Sequence, residues 1–201
     1  MDGIIFYWVC WALWISAAFF MRKSSLRTLV SFYLLILMIC AEFHAVLPIG
    51  EATGAFFLLW AAGIGTAVYS GNHRSFRFVL AAGGISAGYA GLKLMQMFDP
   101  VWFAWSPFYM LFIAIFGASF AAGRDYRSKI SLFVLGSCYG EMLYEWIILP
   151  VSGQALLGRT EFLDFMMLGA AGCCLGNAAL RLSKAGSQSL PKQKVKQSRI
   201  V

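Results

Sequence analysis

An all-α integral membrane bundle of seven transmembrane helices, N-terminus outside and C-terminus cytoplasmic, is the fold class predicted by three observations. Hydrophobic residues make up 60% of the 201 and charged residues only 12%, with a mean hydropathy of +0.72; a water-soluble domain has neither property. Seven long apolar stretches fill the chain, each near the roughly 20 residues needed to cross a hydrocarbon core about 30 Å thick. Almost every Lys and Arg falls in the gaps after the odd-numbered stretches.

The stretches follow in order. Segment 3–21 has an acidic start, Met1-Asp2-Gly3, and is followed by Arg22-Lys23. A secretory signal carries its basic flank first, so this order predicts a retained helix. Segment 28–48 contains Phe32-Tyr33-Leu34-Leu35-Ile36-Leu37-Met38-Ile39, apolar on every side. That excludes a β-barrel, whose strands alternate apolar and polar. Its exit is Leu47-Pro48-Ile49-Gly50. Segment 53–70 stops at Gly71-Asn72, and segment 76–97 at Asp99-Pro100. Segment 101–121 carries a predicted kink at Ser106-Pro107 and ends at Gly123-Arg124-Asp125; proline within a helix breaks its hydrogen-bond ladder. Segment 130–150 closes at Pro150, and segment 161–181 leads to the basic tail. These breaks follow the turn chemistry of Gly, Pro, Asn and Asp. Residues 1–183 thus read as one transmembrane domain, and 184–201 as a disordered basic cytoplasmic tail in which Ser, Gln, Gly and Pro191 separate the charges.

Orientation comes from the basic residues. Arg22, Lys23 and Arg27 follow segment 1, and Arg74 and Arg77 follow segment 3. Arg124, Arg127 and Lys129 follow segment 5. Arg181, Lys184, Lys192, Lys194, Lys196 and Arg199 follow segment 7. The opposite loops hold only Arg159. Short cytoplasmic loops retain Lys and Arg, so the N-terminus is predicted outside. The net charge of +7 then belongs to membrane topology rather than nucleic-acid binding. The predicted partners are the lipid bilayer, anionic lipid at the tail, and a second copy or another membrane protein. Tyr7, Trp8, Trp11, Trp14, Trp102, Trp105 and Trp146 read as interfacial aromatic belts.

Cys10, Cys40, Cys138, Cys173 and Cys174 lie in apolar segments without metal-ligand spacing. They read as packing residues, and neither a metal nor a cofactor is expected. Gly84, Gly88 and Gly91 share a face of helix 4, and Gly172 and Gly176 have G-x-x-x-G spacing on helix 7. Small residues let membrane helices approach closely, so helices 4 and 7 are predicted inside the bundle; the same motif suits a homo-oligomer seam. Glu42 before Pro48 matches Glu145 before Pro150, and Ala-Ala-Gly recurs at 61–63 and 170–172. This outlines a parallel three-plus-one-plus-three repeat of the kind transporters use, though the matches are short.

Polar residues at membrane depth are the candidate site: Glu42 and His44 on helix 2, Lys93 on helix 4, Glu141 and Glu145 on helix 6, with Asp164 on helix 7. A charge at a helix centre costs about 2.5–3.5 kcal/mol on insertion scales, so each needs a partner, a cavity or a task. At the helical rise, Glu42, Lys93 and Glu145 sit roughly 21–24 Å above the cytoplasmic helix starts. Glu141 is one turn deeper on the face of Glu145. Lys93 is therefore expected to pair with Glu145, Glu141 or Glu42 in an outward-opening polar cup, with Glu141 the residue for proton or cation movement. The competing reading is structural, a pair that ties helices together or long side chains that snorkel to headgroups.

Enzyme motifs do not survive their context. Gly84-Ile85-Ser86-Ala87-Gly88 spells G-x-S-x-G but lies inside a predicted helix rather than a strand-to-helix turn. The histidines are His44 and His73, and no H-E-x-x-H, P-loop or dinucleotide fingerprint occurs. No catalytic residue is assigned. The functional expectation is a multi-pass plasma-membrane protein with a structural or envelope-associated role. The alternative is a small-solute or cation/proton transporter that uses the cup.

The opening Met1-Asp2-Gly3-Ile4-Ile5-Phe6-Tyr7-Trp8, the chain length and the seven-helix layout with a basic tail resemble the YphA-like family of small bacterial membrane proteins. The resemblance covers the whole chain and implies a multi-pass cell-membrane protein. It transfers no site residue.

Overall fold

The computed structural model describes residues 3–48, 50–71, 75–99 and 106–189, with side chains described as far as 176 in the last helix. Seven helices appear: α1 (Ile4–Phe20), α2 (Ser25–Ala41), α3 (Gly54–Tyr69), α4 (Phe76–Phe98), α5 (Pro107–Ala122), α6 (Tyr126–Ser152) and α7 (Thr160–Ser189). The last continues past the expected start of the tail to Ser189; residues 190–201 lie outside the described residues, as does His73.

The all-α expectation needs one correction. A three-stranded sheet of β1 (His44–Leu47), β2 (Gly50–Thr53) and β3 (Ala155–Leu157) joins the α2–α3 and α6–α7 connections. β1 pairs antiparallel with β2, with His44 opposite Thr53 and Leu47 opposite Gly50. β2 pairs parallel with β3, with Gly50 opposite Ala155 and Ala52 opposite Leu157. Helix 2 therefore ends at Ala41 rather than 48. Pro48 disfavours helical geometry at Leu47, and the backbone groups freed there find partners on β2. Gly50 is required by close approach, because a Cβ there would stand 2.0 Å from the Ala155 carbonyl oxygen. The Thr53 hydroxyl donates to Gly158 O at 2.9 Å and closes the sheet onto the start of α7.

Helix starts follow their sequences. The Ser24 hydroxyl accepts from Arg27 N–H at 3.4 Å, an N-cap that satisfies one orphan donor. Pro107 is the first residue of α5, where its missing N–H breaks no bond. The expected kink is thus a helix start, and residues 101–105 lie outside the described residues. α6 ends at Gly153, whose φ of 74° is a left-handed cap favouring glycine.

Contacts at the helix ends define two poles. At one, the Arg27 guanidinium donates to Ala18 O at 3.4 Å, Arg127 lies 4.7 Å from the Tyr69 ring, and Lys129 lies 5.3 Å from the Phe120 ring. This is the basic end. At the other, the Tyr7 hydroxyl donates to Glu42 at 2.5 Å, Gln96 Nε2 donates to Pro107 O at 2.9 Å, and the sheet sits. This is the sheet end.

α6 is the hub, packing on α3, α4, α5, α7 and β3, with its largest interface against α4. Its buried positions run from Ser128 to Ile148. The expectation that helices 4 and 7 are central is corrected for α4, whose glycine face is open. Among the described residues nothing lies within 4 Å of a Cβ built at Gly84 or Gly91, and at Gly88 only Ile115 Cδ1 does, at 4.0 Å. On α7 a Cβ at Gly172 would meet Phe116 at 3.3 Å, whereas Gly176 is open. The close seam is on α6 instead, at Gly136 and Gly140. The three-plus-one-plus-three repeat is not mirrored in the packing among the described residues, since α3 packs on α6 with no comparable contact of α2 on α7.

Two helices, Phe76–Phe98 and Tyr126–Ser152, are long and apolar enough to cross a membrane, and four more apolar helices have 16 or 17 residues. Large apolar side chains face outward, among them Phe20, Leu29, Phe32, Phe76 and Leu80. Such a belt is stable where the surroundings are hydrocarbon.

Candidate functional site: a lysine–glutamate pair beneath an open cup

The seam between α4 and α6 builds the site. Gly136 and Gly140, one turn apart on α6, leave room for the face of α4 that bears Ile85, Tyr89 and Lys93. A Cβ at Gly136 would meet Ile85 Cγ2 at 2.5 Å, and one at Gly140 would meet Tyr89 Cβ at 2.7 Å. The next residue of α6 after this seam is Glu141. Close approach therefore brings two donors to one carboxylate oxygen: the Tyr89 hydroxyl donates to Glu141 Oε2 at 2.8 Å and the Lys93 ammonium at 2.5 Å.

Glu141 is fully enclosed, at 0% exposure, and Lys93 retains 17%. The ammonium also stands 4.5 Å from the Tyr144 ring centroid and 5.6 Å from that of Tyr89, within the range of a cation–π contact. Among the described residues Glu141 Oε1 is buried with no hydrogen-bond partner, as is the Ser137 hydroxyl one turn earlier.

Above the pair, α4, α5 and α7 enclose a cup of about 310 Å³ at the sheet end, lined by Tyr89, Lys93, Gln96, Ser106, Phe108 and Glu161 among others. Phe165 forms part of its wall and belongs to a ring stack beneath. It stacks on Phe133 at 5.4 Å and meets Phe112 edge-on at 5.8 Å. Phe133 in turn contacts Phe116 at 5.7 Å. The cup is thus polar at its mouth and aromatic at its base.

The other predicted site residues are dispersed. Glu145, 5% exposed, accepts from Leu156 N–H at 2.9 Å and so anchors β3 to α6. Glu42 and His44 are not on helix 2 and are not joined to Lys93. Glu42 is the exposed C-cap of α2 and accepts from Tyr7, while His44 lies on β1 with Nδ1 3.2 Å from Glu42 O. Both were misplaced because the helix was extended through the β1 residues. Asp164, at 0% exposure, accepts from Phe6 N–H at 2.7 Å. That N–H is in the first turn of α1, whose own N-cap, Gly3, has no side chain to offer; Asp164 caps the helix from α7. Tyr89, Tyr144 and the Gly136–Gly140 seam were absent from the sequence reading. Their signal was present, since Gly136-x-x-x-Gly140 immediately precedes Glu141 and Tyr89 is one turn before Lys93.

Ser86, of the G-x-S-x-G letters, is inside α4, and its hydroxyl donates to Gly83 O at 2.9 Å. Among the described residues no three His, Cys, Asp or Glu side chains gather as metal ligands.

A model of the YphA-like integral membrane protein family matches residues 2–199. The chain belongs to this family. A relative in it, the uncharacterized protein YphA of Bacillus subtilis (strain 168), is 29% identical over 164 residues, which cover 82% of this chain and 81% of that one. No solved structure matches the chain. Family membership makes the protein an integral membrane protein in contact with lipid, and the outward apolar belt agrees with that surrounding. The chemistry of the Lys93–Glu141 pair rests on its geometry.

Proposed function

We propose that the protein is a seven-span plasma-membrane component with its N-terminus and sheet outside and its basic end in the cytoplasm, serving a structural or envelope-associated role rather than conducting solute. The observation that carries this reading is the complete enclosure of Glu141. A transport route needs water to reach the buried carboxylate from at least one side. Here the cup stops at Lys93 and Tyr89, and the phenylalanine stack of Phe112, Phe116, Phe133 and Phe165 lies beneath. On this reading the pair ties α4 to α6, since leaving either charge buried without the other is costly. The distribution of basic residues supports the orientation.

A second reading, transport of a small solute, cations or protons, is favoured by two observations. Lys93 remains partly exposed on the cup, and Glu141 Oε1 has no partner among the described residues. One experiment separates the two. Purified protein in liposomes is assayed for proton, sodium and potassium flux, as wild type and as Glu141→Gln. The structural reading expects both at the empty-liposome baseline. Flux by the wild type that Glu141→Gln abolishes overturns it in favour of transport.

A further inference from the structure

At the basic end, the starts of α4 and α6 and the end of α5 converge on a hollow of about 190 Å³ lined by Ser75, Arg77, Phe78, Arg124, Ser128 and Leu132 among others. Its chemistry differs from the rest of that end. Arg27 is engaged by a backbone carbonyl and Arg127 and Lys129 by aromatic rings. No carboxylate lines the hollow, and neither Arg77 nor Arg124 is joined to an acid or a ring among the described residues. The nearest acidic residue in sequence is Asp125, the exposed N-cap of α6. Arg77 and Arg124 are exposed side chains that line the same hollow, and an anion seated there would gain from both.

The backbone adds to the same field. Neither the Ser75 cap of α4 nor the Asp125 cap of α6 uses its side chain on the first turn. Both helices therefore present their N-terminal turn and the positive end of the helix dipole near the hollow. Phe78 and Leu132 give the wall an apolar side toward the bundle.

We propose that this hollow is a phosphate-binding site, with Arg77 and Arg124 as the recognising groups, and that its ligand is the phosphate of an anionic phospholipid headgroup or free phosphate. Arginine matches phosphate through its planar fork of donors, and two forks from separate elements distinguish a site from a diffuse basic loop. The lipid source rests on the seven-span orientation, which puts the hollow at the cytoplasmic headgroups; the free-phosphate source does not.

The test uses full-length protein in a neutral detergent. Retention of phosphatidylglycerol, with diacylglycerol as the phosphate-free control, is read by native mass spectrometry. Inorganic phosphate is titrated separately by its shift of the thermal midpoint, with chloride as control. Selective retention of phosphatidylglycerol, weakened about tenfold or more in Arg77→Gln/Arg124→Gln, supports the site with lipid as source. A midpoint shift by inorganic phosphate alone, lost in the same variant, supports it with free phosphate as source. The control Arg22→Gln/Lys23→Gln removes two charges from another basic loop and is expected to leave either response intact. Arg77→Lys/Arg124→Lys, which preserves charge and topology, is expected to fall between wild type and the Gln pair. Equal losses in the control and Gln pairs, or no response to either probe in the wild type, overturn the proposal. A reversed orientation is distinguishable from failure of the site, because both responses are read in detergent and do not depend on which side of the membrane the hollow faces.

Discussion

Replacing Lys93 with Met removes the ammonium and keeps most of the side-chain length. Glu141 then holds a charge in a fully enclosed site with one donor, the Tyr89 hydroxyl. At the observed 2.5 Å separation, the gross attraction between the charges is about 6–7 kcal/mol at an effective dielectric near 20. Desolvation offsets part of it, and removing one partner of a buried pair costs about 3–5 kcal/mol. For a chain of this size that corresponds to a fall of roughly 6–20 °C in thermal midpoint. The assay is thermal unfolding of purified protein in a mild detergent, followed by tryptophan fluorescence. Lys93→Met/Glu141→Gln removes both charges while leaving Tyr89 an acceptor, and it is expected to recover most of the loss. Lys93→Met/Glu141→Leu removes the acceptor too and is expected to stay about 1–3 kcal/mol below wild type. A single Lys93→Met variant melting within ~2 °C of wild type would refute the reasoning, because Glu141 would then not depend on Lys93.

Two further outcomes follow from packing. Gly136→Ala and Gly140→Ala insert a methyl at 2.5 Å from Ile85 and 2.7 Å from Tyr89 and should each destabilise by about 1–3 kcal/mol through overpacking. Gly84→Ala and Gly91→Ala meet open space and should be neutral or stabilising by up to about 1 kcal/mol through helix propensity; the same melts check both pairs, and loss at Gly84 equal to that at Gly140 would move the seam to the other face. Asp164→Ala leaves the first turn of α1 without its cap from α7, an expected loss of about 1–3 kcal/mol. Hydrogen exchange should localise it to residues 4–8, and unchanged protection there would show that the cap is dispensable.

A carboxylate partner for Lys93 was legible from helical rise only as a choice among Glu145, Glu141 and Glu42; rise put Lys93 level with Glu42 and Glu145, and the structure pairs it with Glu141, one turn deeper. The inclusion of Glu42 and His44 failed for a local reason. Past Glu42 and His44, Ala45, Val46 and Leu47 resume the apolar run of α2, so hydropathy does not mark where the helix stops; the stop is set by Pro48 and by a strand partner that begins at Gly50. β3 has three residues, and its partner on β2 is far away in sequence, so no periodicity announces it. Pro107 was read as a kink because the same residue serves a helix start and a helix interior break, and only the backbone before it decides between them. The glycines of α4 and α6 carry similar spacing, but only those of α6 have α4 side chains against them. Spacing identifies a face able to pack closely without saying what packs there.

The most direct test of the membrane arrangement is cysteine accessibility in intact cells, in a background with all five native cysteines replaced by Ala. Gln154→Cys marks the sheet end and Lys23→Cys the basic end. Labelling of Gln154→Cys by a membrane-impermeant maleimide in intact cells, with Lys23→Cys labelled only after permeabilisation, is the expected result. Labelling of both from outside, or the reverse pattern, would contradict a bundle with its sheet outside and its basic residues in the cytoplasm.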